Sequence, residues 1–194
     1  MKIIFATANK GKIREAAEIL GPGFEIVSPA DLGIFDDVEE TGSTFRENSL
    51  IKAQYVWRRT GLDCFADDSG LEVDALGGAP GIYSARYASP GHDFDANISK
   101  LLAELGDARN RKARFVCAVT LLTGGVPHYF EGSCEGSIAL RKSGNGGFGY
   151  DPVFVPDAWP DLTMAQISEE QKNSISHRGE ALRKMAEWLK DGTR

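Results

Sequence analysis

The sequence predicts an α/β fold in which helices flank a mixed central β-sheet. Three observations lead there. Short apolar strand patterns alternate with helix-period patterns along the whole chain. Towards the carboxyl end, strand patterns follow one another directly, two of them around Gly124-Gly125 as in a hairpin. No repeat, low-complexity segment or linker interrupts this order. At 194 residues, against about 150 for a typical domain, one domain spanning residues 1–194 is expected, cleft into two lobes.

Taken in order, Lys2 to Thr7 reads as a strand, and Ala8-Asn9 turns the chain into a helix. Ile13, Ala16, Ala17 and Leu20 recur on one face of that helix, and Gly21-Pro22-Gly23 stops it. Phe24 to Val27 is a second strand, followed by an acidic loop, Asp36 to Glu40. Thr44 and Glu47 form a T-x-x-E capping box that opens a helix running to about Arg59. Leu62 to Ala66 is a short strand that ends in Asp67-Asp68-Ser69-Gly70, and Leu71 to Leu76 is another. Gly77 to Gly81 is a loop. A helix from about Asp95 to Leu105 uses Ile98, Leu101, Leu102 and Leu105 as its core face. Arg114 to Leu122, Tyr129 to Cys134 and Ser137 to Leu140 are strands. The glycine-rich loop Ser143 to Gly149 leads to an extended Pro152 to Val155. A short helix near Met164 to Lys172 precedes a longer one from His177 to Lys190, with Leu182, Met185, Ala186 and Leu189 as its stripe.

Composition narrows the function. The 42% apolar and 26% charged residues are those of a soluble globular protein. With 22 Lys plus Arg against 28 Asp plus Glu, the net charge of −6 argues against a general nucleic-acid binder. A local basic cluster can still take a small anion. No run approaches the ~18 apolar residues of a membrane helix, and Ile3 to Ala6 is too short for a signal peptide. Cys64, Cys117 and Cys134 form no C-x-x-C pair and read as small buried hydrophobes, so the expected compartment is the cytoplasm.

Five segments carry polar chemistry. Thr7-Ala8-Asn9-Lys10-Gly11-Lys12 sits where a strand turns into a helix, a place that suits a phosphate or an ordinary capped surface helix. Glu39-Glu40 and Asp67-Asp68 concentrate carboxylates that could hold Mg²⁺ and serve as general base, or simply cap turns and meet solvent. Gly144, Gly146 and Gly149 fit G-x-G-x-x-G, but the loop runs into extended chain, so the dinucleotide reading fails. Phe148 beside Asp151 suggests an aromatic plate with a carboxylate next to it, or a flexible turn with Phe148 in the core. Ser176 caps the last helix, where Arg178 is electrostatically misplaced unless an anion or acceptor lies opposite; Lys172 adds another donor nearby. His92 and His128 have no partner at metal-ligand spacing, which argues against zinc.

Six blocks in order give a resemblance: Thr7 to Lys12, Glu39 to Phe45 with Asn48 and Lys52-Ala53, Ala66 to Leu71, Gly77 to Tyr87, Gly146 to Pro152, and Ser174 to Gly179. Together they strongly resemble the inosine/xanthosine triphosphate pyrophosphatase family of house-cleaning nucleotide hydrolases. The likeness implies a Mg²⁺-dependent homodimer with its ligand in a cleft between two lobes. It would convert ITP, dITP or XTP to the monophosphate and pyrophosphate, and clear them from the nucleotide pool. Carried over residue by residue, Thr7, Ala8, Asn9, Lys10, Gly11, Lys12 and Lys52 would hold the triphosphate. Glu39 and Asp68 would serve the metal, with Asp68 also the proton acceptor and Ser69 a substrate contact. Phe148, Gly149, Tyr150, Asp151, Lys172, His177 and Arg178 would take the base. The adjacent pairs leave Glu39 against Glu40, and Asp67 against Asp68, open.

Three other readings compete. A pyrophosphatase of different base choice is opposed by Phe148, Lys172 and Arg178, and a non-catalytic nucleotide sensor by the intact carboxylate set. An aspartyl phosphatase needs D-x-D, whereas Asp67 and Asp68 are adjacent.

Overall fold

The computed structural model describes residues 1–191; the last three residues of the expected 1–194 domain lie outside the described residues. The element order is β1 (Lys2–Phe5), α1 (Lys10–Leu20), β2 (Glu25–Val27), α2 (Phe45–Thr60), β3 (Cys64–Val73), α3 (Phe94–Leu105), β4 (Lys112–Thr123), β5 (Val126–Ile138), β6 (Phe154–Pro156), α4 (Glu169–Ile175) and α5 (His177–Asp191). The six strands form one sheet in the order β2-β1-β3-β4-β5-β6. β1 runs parallel to β2 and β3, while β5 and β6 are antiparallel, so the sheet is mixed as expected. Among the described residues, no helix is long and apolar enough to cross a membrane.

The chain divides into two compact units. The first comprises residues 1–68, 117–132 and the chain from Arg178 on; the second comprises 69–116 and 133–177. Strands β3, β4 and β5 each begin in one unit and end in the other.

In the first unit, alternation along the strands makes two cores. Ile3, Phe5, Phe65, Cys117, Val119 and Leu121 pack with Ala16 of α1 and with Ala181, Leu182 and Met185 of α5. The opposite side chains, Ile4, Ala6, Cys64, Ala66 and Leu122, pack with Ala53 and Val56 of α2. Two details of α1 differ from its apolar pattern. Ala17 is exposed, and Glu15 is buried beside Ala16. The stripe is completed instead by the half-buried Ile13, Ile19 and Leu20.

The second unit has its own core, in which Leu71, Val73, Phe115, Ile138 and Phe154 from the strands meet Ile98, Leu101 and Leu105 of α3. Cys64, Cys117 and Cys134 are all buried free thiols. Pro80, which looks exposed in a Gly-rich loop, is buried, whereas Tyr83 is exposed.

Four boundaries depart from the sequence pattern. The two short strands expected around Asp67-Asp68-Ser69-Gly70 are one ten-residue strand, β3, so no turn interrupts them. Residues Asp74–Leu76, expected as strand, form a 3₁₀ turn. The strands expected at 129–134 and 137–140 are likewise continuous as β5. Gly136, in the gap between the two expected strands, pairs with Pro156, and a methyl group there would overlap the Val155 carbonyl oxygen. Glycine is therefore required by the close approach of β6 rather than by a bend. The helix expected near Met164 starts later, at Glu169, behind a capping box of Ser168 and Gln171.

A buried amide ties α3 to the preceding segment. Asn97 Oδ1 accepts from the Ala88 amide at 2.7 Å, and its Nδ2 donates to the Ala85 carbonyl at 3.0 Å. Asn97→Ala leaves both backbone groups unmatched and is expected to cost about 1–3 kcal/mol, read as a lower urea midpoint at unchanged slope. An unchanged midpoint would show that water replaces the amide at no cost.

Candidate active site

The polar residues of the first unit are arranged by β3. Because successive side chains of a strand point to opposite faces, Asp67 follows Phe65 towards α1 and α5, and Asp68 follows Ala66 towards α2. The two carboxylates are adjacent in sequence yet belong to different clusters.

On the first face, Asp67 is buried and accepts from Lys12 Nζ at 2.9 Å through one oxygen and from Arg178 Nε at 3.0 Å through the other. Arg178 Nη1 also bonds the buried Glu15, which lies three residues, nearly one turn, beyond Lys12 on α1. Thus the anion that Arg178 requires at the start of α5 is supplied twice, by Asp67 and Glu15. Burial alone would raise the Asp67 carboxyl, but the Lys12 ammonium and Arg178 guanidinium overcome it and hold the group well below the usual carboxylate range. The Cys117 thiol, 3.9 Å from Asp67 Oδ2, is pushed up by burial and by that carboxylate.

On the other face, α2 delivers two side chains one turn apart. Asn48 Nδ2 donates to Asp68 Oδ2 at 3.1 Å, while its Oδ1 accepts from the Gly42 amide at 2.8 Å. Lys52 Nζ lies 3.4 Å from Asp68 Oδ1 and donates to Glu40 Oε1 at 2.6 Å. Burial pushes the Asp68 carboxyl above its ordinary value, with Lys52 opposing and Glu40 reinforcing the shift. Lys52 itself is raised: burial disfavours its charge, but Asp68, Glu40 and Asp67 together outweigh that. Neighbouring carboxyl groups with pKa values driven in opposite directions are the arrangement that separates a permanent anion from a proton acceptor.

The helix start at α1 is capped by its own side chain. Asn9 Oδ1 accepts from the Gly11 and Lys12 amides at 2.9 and 3.2 Å, and the Asn9 amide donates to Thr7 Oγ1 at 3.2 Å. No acidic residue occupies the first turn of α1. Ala8, Asn9 and Lys10 are exposed, and Thr7 and Gly11 half-buried. At α2 the Thr44 hydroxyl accepts from the Glu47 amide, as the capping box requires, but the Glu47 carboxylate turns to the Ser43 amide and hydroxyl.

In the second unit, Asp151 Oδ2 accepts from the Phe148 amide at 2.9 Å and from Lys172 Nζ at 2.7 Å. The Lys172 ammonium lies 4.7 Å from the centroid of the half-buried Phe148 ring. Gly147 has a positive φ of 68°, and a side chain there would overlap the Asp151 carboxylate, so this glycine leaves Asp151 its place. Tyr150 is buried and donates to the Ser84 carbonyl at 2.8 Å; His177 is buried with its ring stacked on Phe115, centroids 4.8 Å apart. Gly149 is half-buried at positive φ, and Ser69 half-buried.

The residues expected to share a role are partly brought together. Lys12, Lys52 and Asp68 lie in the first unit, and Phe148, Tyr150, Asp151, Lys172 and His177 in the second. Arg178, expected with the base-binding residues, stands in the first unit with Asp67 and Glu15. Glu39 is exposed, and it is Glu40 whose carboxylate meets Lys52. Glu15 and Asn48 were not expected as site residues. Asn48 had one signal, its place in the second block of the resemblance, four residues before Lys52; Glu15 had none.

Among the described residues, no group of three or more His, Cys, Asp or Glu side chains is arranged to hold a metal ion. Removing the charge on Asp67 would strand Lys12 and Arg178, so Asp67→Asn is expected to cost about 3–5 kcal/mol at pH 7. Because the folded carboxyl is held below its unfolded value, the stabilisation is full above about pH 4 and is lost as pH falls through the folded pKa. Urea denaturation of both proteins at neutral and acid pH should show the gap narrowing in acid. A gap independent of pH would mean that shape, not charge, is what Asp67 contributes.

The comparisons agree with one another. The sequence profile of the Ham1 family matches residues 3–188. A dITP/XTP pyrophosphatase of Desulforamulus reducens is 49% identical over 193 residues, covering 97% of this chain and 96% of its own. Another, of Christiangramia forsetii, is 46% identical over 189 residues, covering 97% and 99%. The solved structure of the Staphylococcus aureus Ham1 protein matches with a TM-score of 0.88 at 44% identity, covering 100% of both chains. With a profile match over nearly its whole length, and relatives of this identity aligned end to end, the chain belongs to the Ham1 family.

Proposed function

We propose that the chain is a nucleoside triphosphate pyrophosphatase that hydrolyses dITP, XTP and ITP to the monophosphate and pyrophosphate, removing deaminated purines from the nucleotide pool. The observation that carries this reading is the division of labour on β3. Asp67 is a fixed anion that holds Lys12, and Asp68 is a buried carboxyl of raised pKa held by Asn48 and Lys52. The names of the relatives supply the substrate class.

Lys10, Lys12 and Lys52 are the cations for the triphosphate, with the Thr7–Gly11 turn beside them. Water attacks the α-phosphorus, the bond from that phosphorus to the oxygen bridging it to the β-phosphorus breaks, and pyrophosphate leaves. Asp68 takes the proton of the attacking water, its second oxygen being fixed by Asn48. The surrounding residues fit Mg²⁺. Glu40 and Asp68 present hard carboxylate oxygens on either side of a cation already seated there, the Lys52 ammonium, and Mg²⁺ needs only one or two carboxylates besides waters and phosphates. When bound, Mg²⁺ neutralises developing charge on the phosphates. Glu40, rather than Glu39, is the partner we assign to Asp68.

Phe148 offers a face for the base, with Asp151 and Lys172 at its edge. Arg178, its plane locked by Asp67 and Glu15, is a rigid donor for a 6-oxo group. Adenine carries an amino donor at that position, and a donor facing a donor costs about 1–3 kcal/mol when buried. A homodimer working in the cytoplasm completes the reading; light scattering at micromolar concentration tests the first part.

Asp68→Asn is expected to lower kcat by about 10²–10⁴-fold at saturating Mg²⁺ while sparing nucleotide binding. Pyrophosphate release from ITP, XTP, dITP, ATP and GTP, with and without EDTA, measures this directly. Orthophosphate as product, or full activity in EDTA, would overturn the assignment.

Selectivity separates two residues. Phe148→Ala should weaken all purines alike, because stacking is indifferent to the 6-substituent. Arg178→Ala should lose ITP and XTP turnover far more than residual ATP turnover. Equal losses would make Arg178 a support for Asp67 rather than a reader of the base.

A further inference from the structure

The segment between the 3₁₀ turn Ala30–Leu32 and the start of α2 has no regular secondary structure, yet it is tied along its length to one helix. Its contacts with α2 descend in order. Asp36 meets Arg59 at 3.2 Å, Glu40 meets Lys52 at 2.6 Å, the Gly42 amide meets Asn48 at 2.8 Å, and the Ser43 amide meets Glu47 at 2.6 Å. As the residue number rises in the segment it falls in the helix, so the segment is a strap laid back along α2. At the far end the Arg59 guanidinium that meets Asp36 also lies 4.5 Å above the Tyr55 ring.

The strap carries Glu40 between two fixed points. Towards the helix start it is held by Gly42 and Ser43, and towards the helix end by Asp36. We infer that Asp36, Tyr55 and Arg59 are positioning residues that hold the strap at its far end so that Glu40 faces Lys52 and, through it, Asp68. This rests on the reading of Glu40 as a metal-binding carboxylate, and it adds that the approach of Glu40 is set from outside the site. An isolated exposed ion pair contributes little. Here the guanidinium that holds the aspartate is itself seated on the Tyr55 ring, which makes the clip a small network.

The test uses the full chain with Asp36→Ala, the exchanged pair Asp36→Arg with Arg59→Asp, and Glu40→Gln as control. In enzyme free of metal and nucleotide, hydrogen exchange of the amides at 36–41 should quicken in Asp36→Ala and return towards wild type in the exchanged pair. In turnover assays, Asp36→Ala should raise the Mg²⁺ concentration for half-maximal rate by about three- to tenfold, with kcat at saturating Mg²⁺ little changed. Unchanged exchange in Asp36→Ala would overturn the inference, since the pair would then be an ordinary surface contact. So would an unchanged Mg²⁺ requirement where Glu40→Gln raises it. If Glu40→Gln itself leaves the Mg²⁺ requirement alone, the metal reading of Glu40 fails, and the clip is judged on exchange alone.

Discussion

The period of two along β3 is the constraint on which the first unit depends. Two carboxylates adjacent in a flat strand cannot face the same way, so each meets a different set of helices. Asp67 is given to α1 and α5, Asp68 to α2. Had the Asp67-Asp68-Ser69-Gly70 segment been a turn, the two side chains could have converged and shared one environment. A strand keeps them apart while the backbone holds them a single residue from one another.

That separation lets opposite electrostatic conditions exist side by side. Asp67 lies between two cations, and Glu15 supplies the second anion that Arg178 needs. A buried charge group of this kind is tolerable because every member is hydrogen-bonded, and its net charge is near zero. The group around Asp68 is different: two carboxylates share one ammonium, and burial works against ionisation. The first group is balanced in charge; the second is suited to taking up further positive charge.

Much of the fold was legible because it rests on periodicity. The faces of α3 and α5 follow from Ile98, Leu101 and Leu105 and from Leu182 and Met185, all buried as their spacing requires. The failures have local causes. Asp-Asp-Ser-Gly has the composition of a turn, and only the partner strands on both sides make it central strand. Glu135-Gly136 looks like a break because the residue that forbids a side chain there, Val155, is nineteen or twenty positions away in sequence. Glu15 could not be read at all. A glutamate next to an apolar stripe is ordinarily solvated, and its burial depends on Arg178, which is 163 residues further on. Of the polar site, the residue types and the segments carrying them were visible, whereas the pairing of Glu40 with Lys52 and of Asn48 with Asp68 depends on how the segment before α2 lies on the helix.

The discontinuous make-up of the first unit has a consequence for synthesis on the ribosome. Ile3 and Phe5 on the first strand share their core with Ala181, Leu182 and Met185 on the last helix. Emerging from the ribosome amino end first, the chain exposes that sheet face until α5 has been made, and Asp67 waits for Arg178 over the same interval. The second unit draws only on residues 69–116 and 133–177, so its chain is complete at the first residue of α5. Vectorial folding therefore has a built-in order, in which the last helix closes a core begun by the first strand, and nascent chains stalled before Arg178 are the species most in need of chaperone protection.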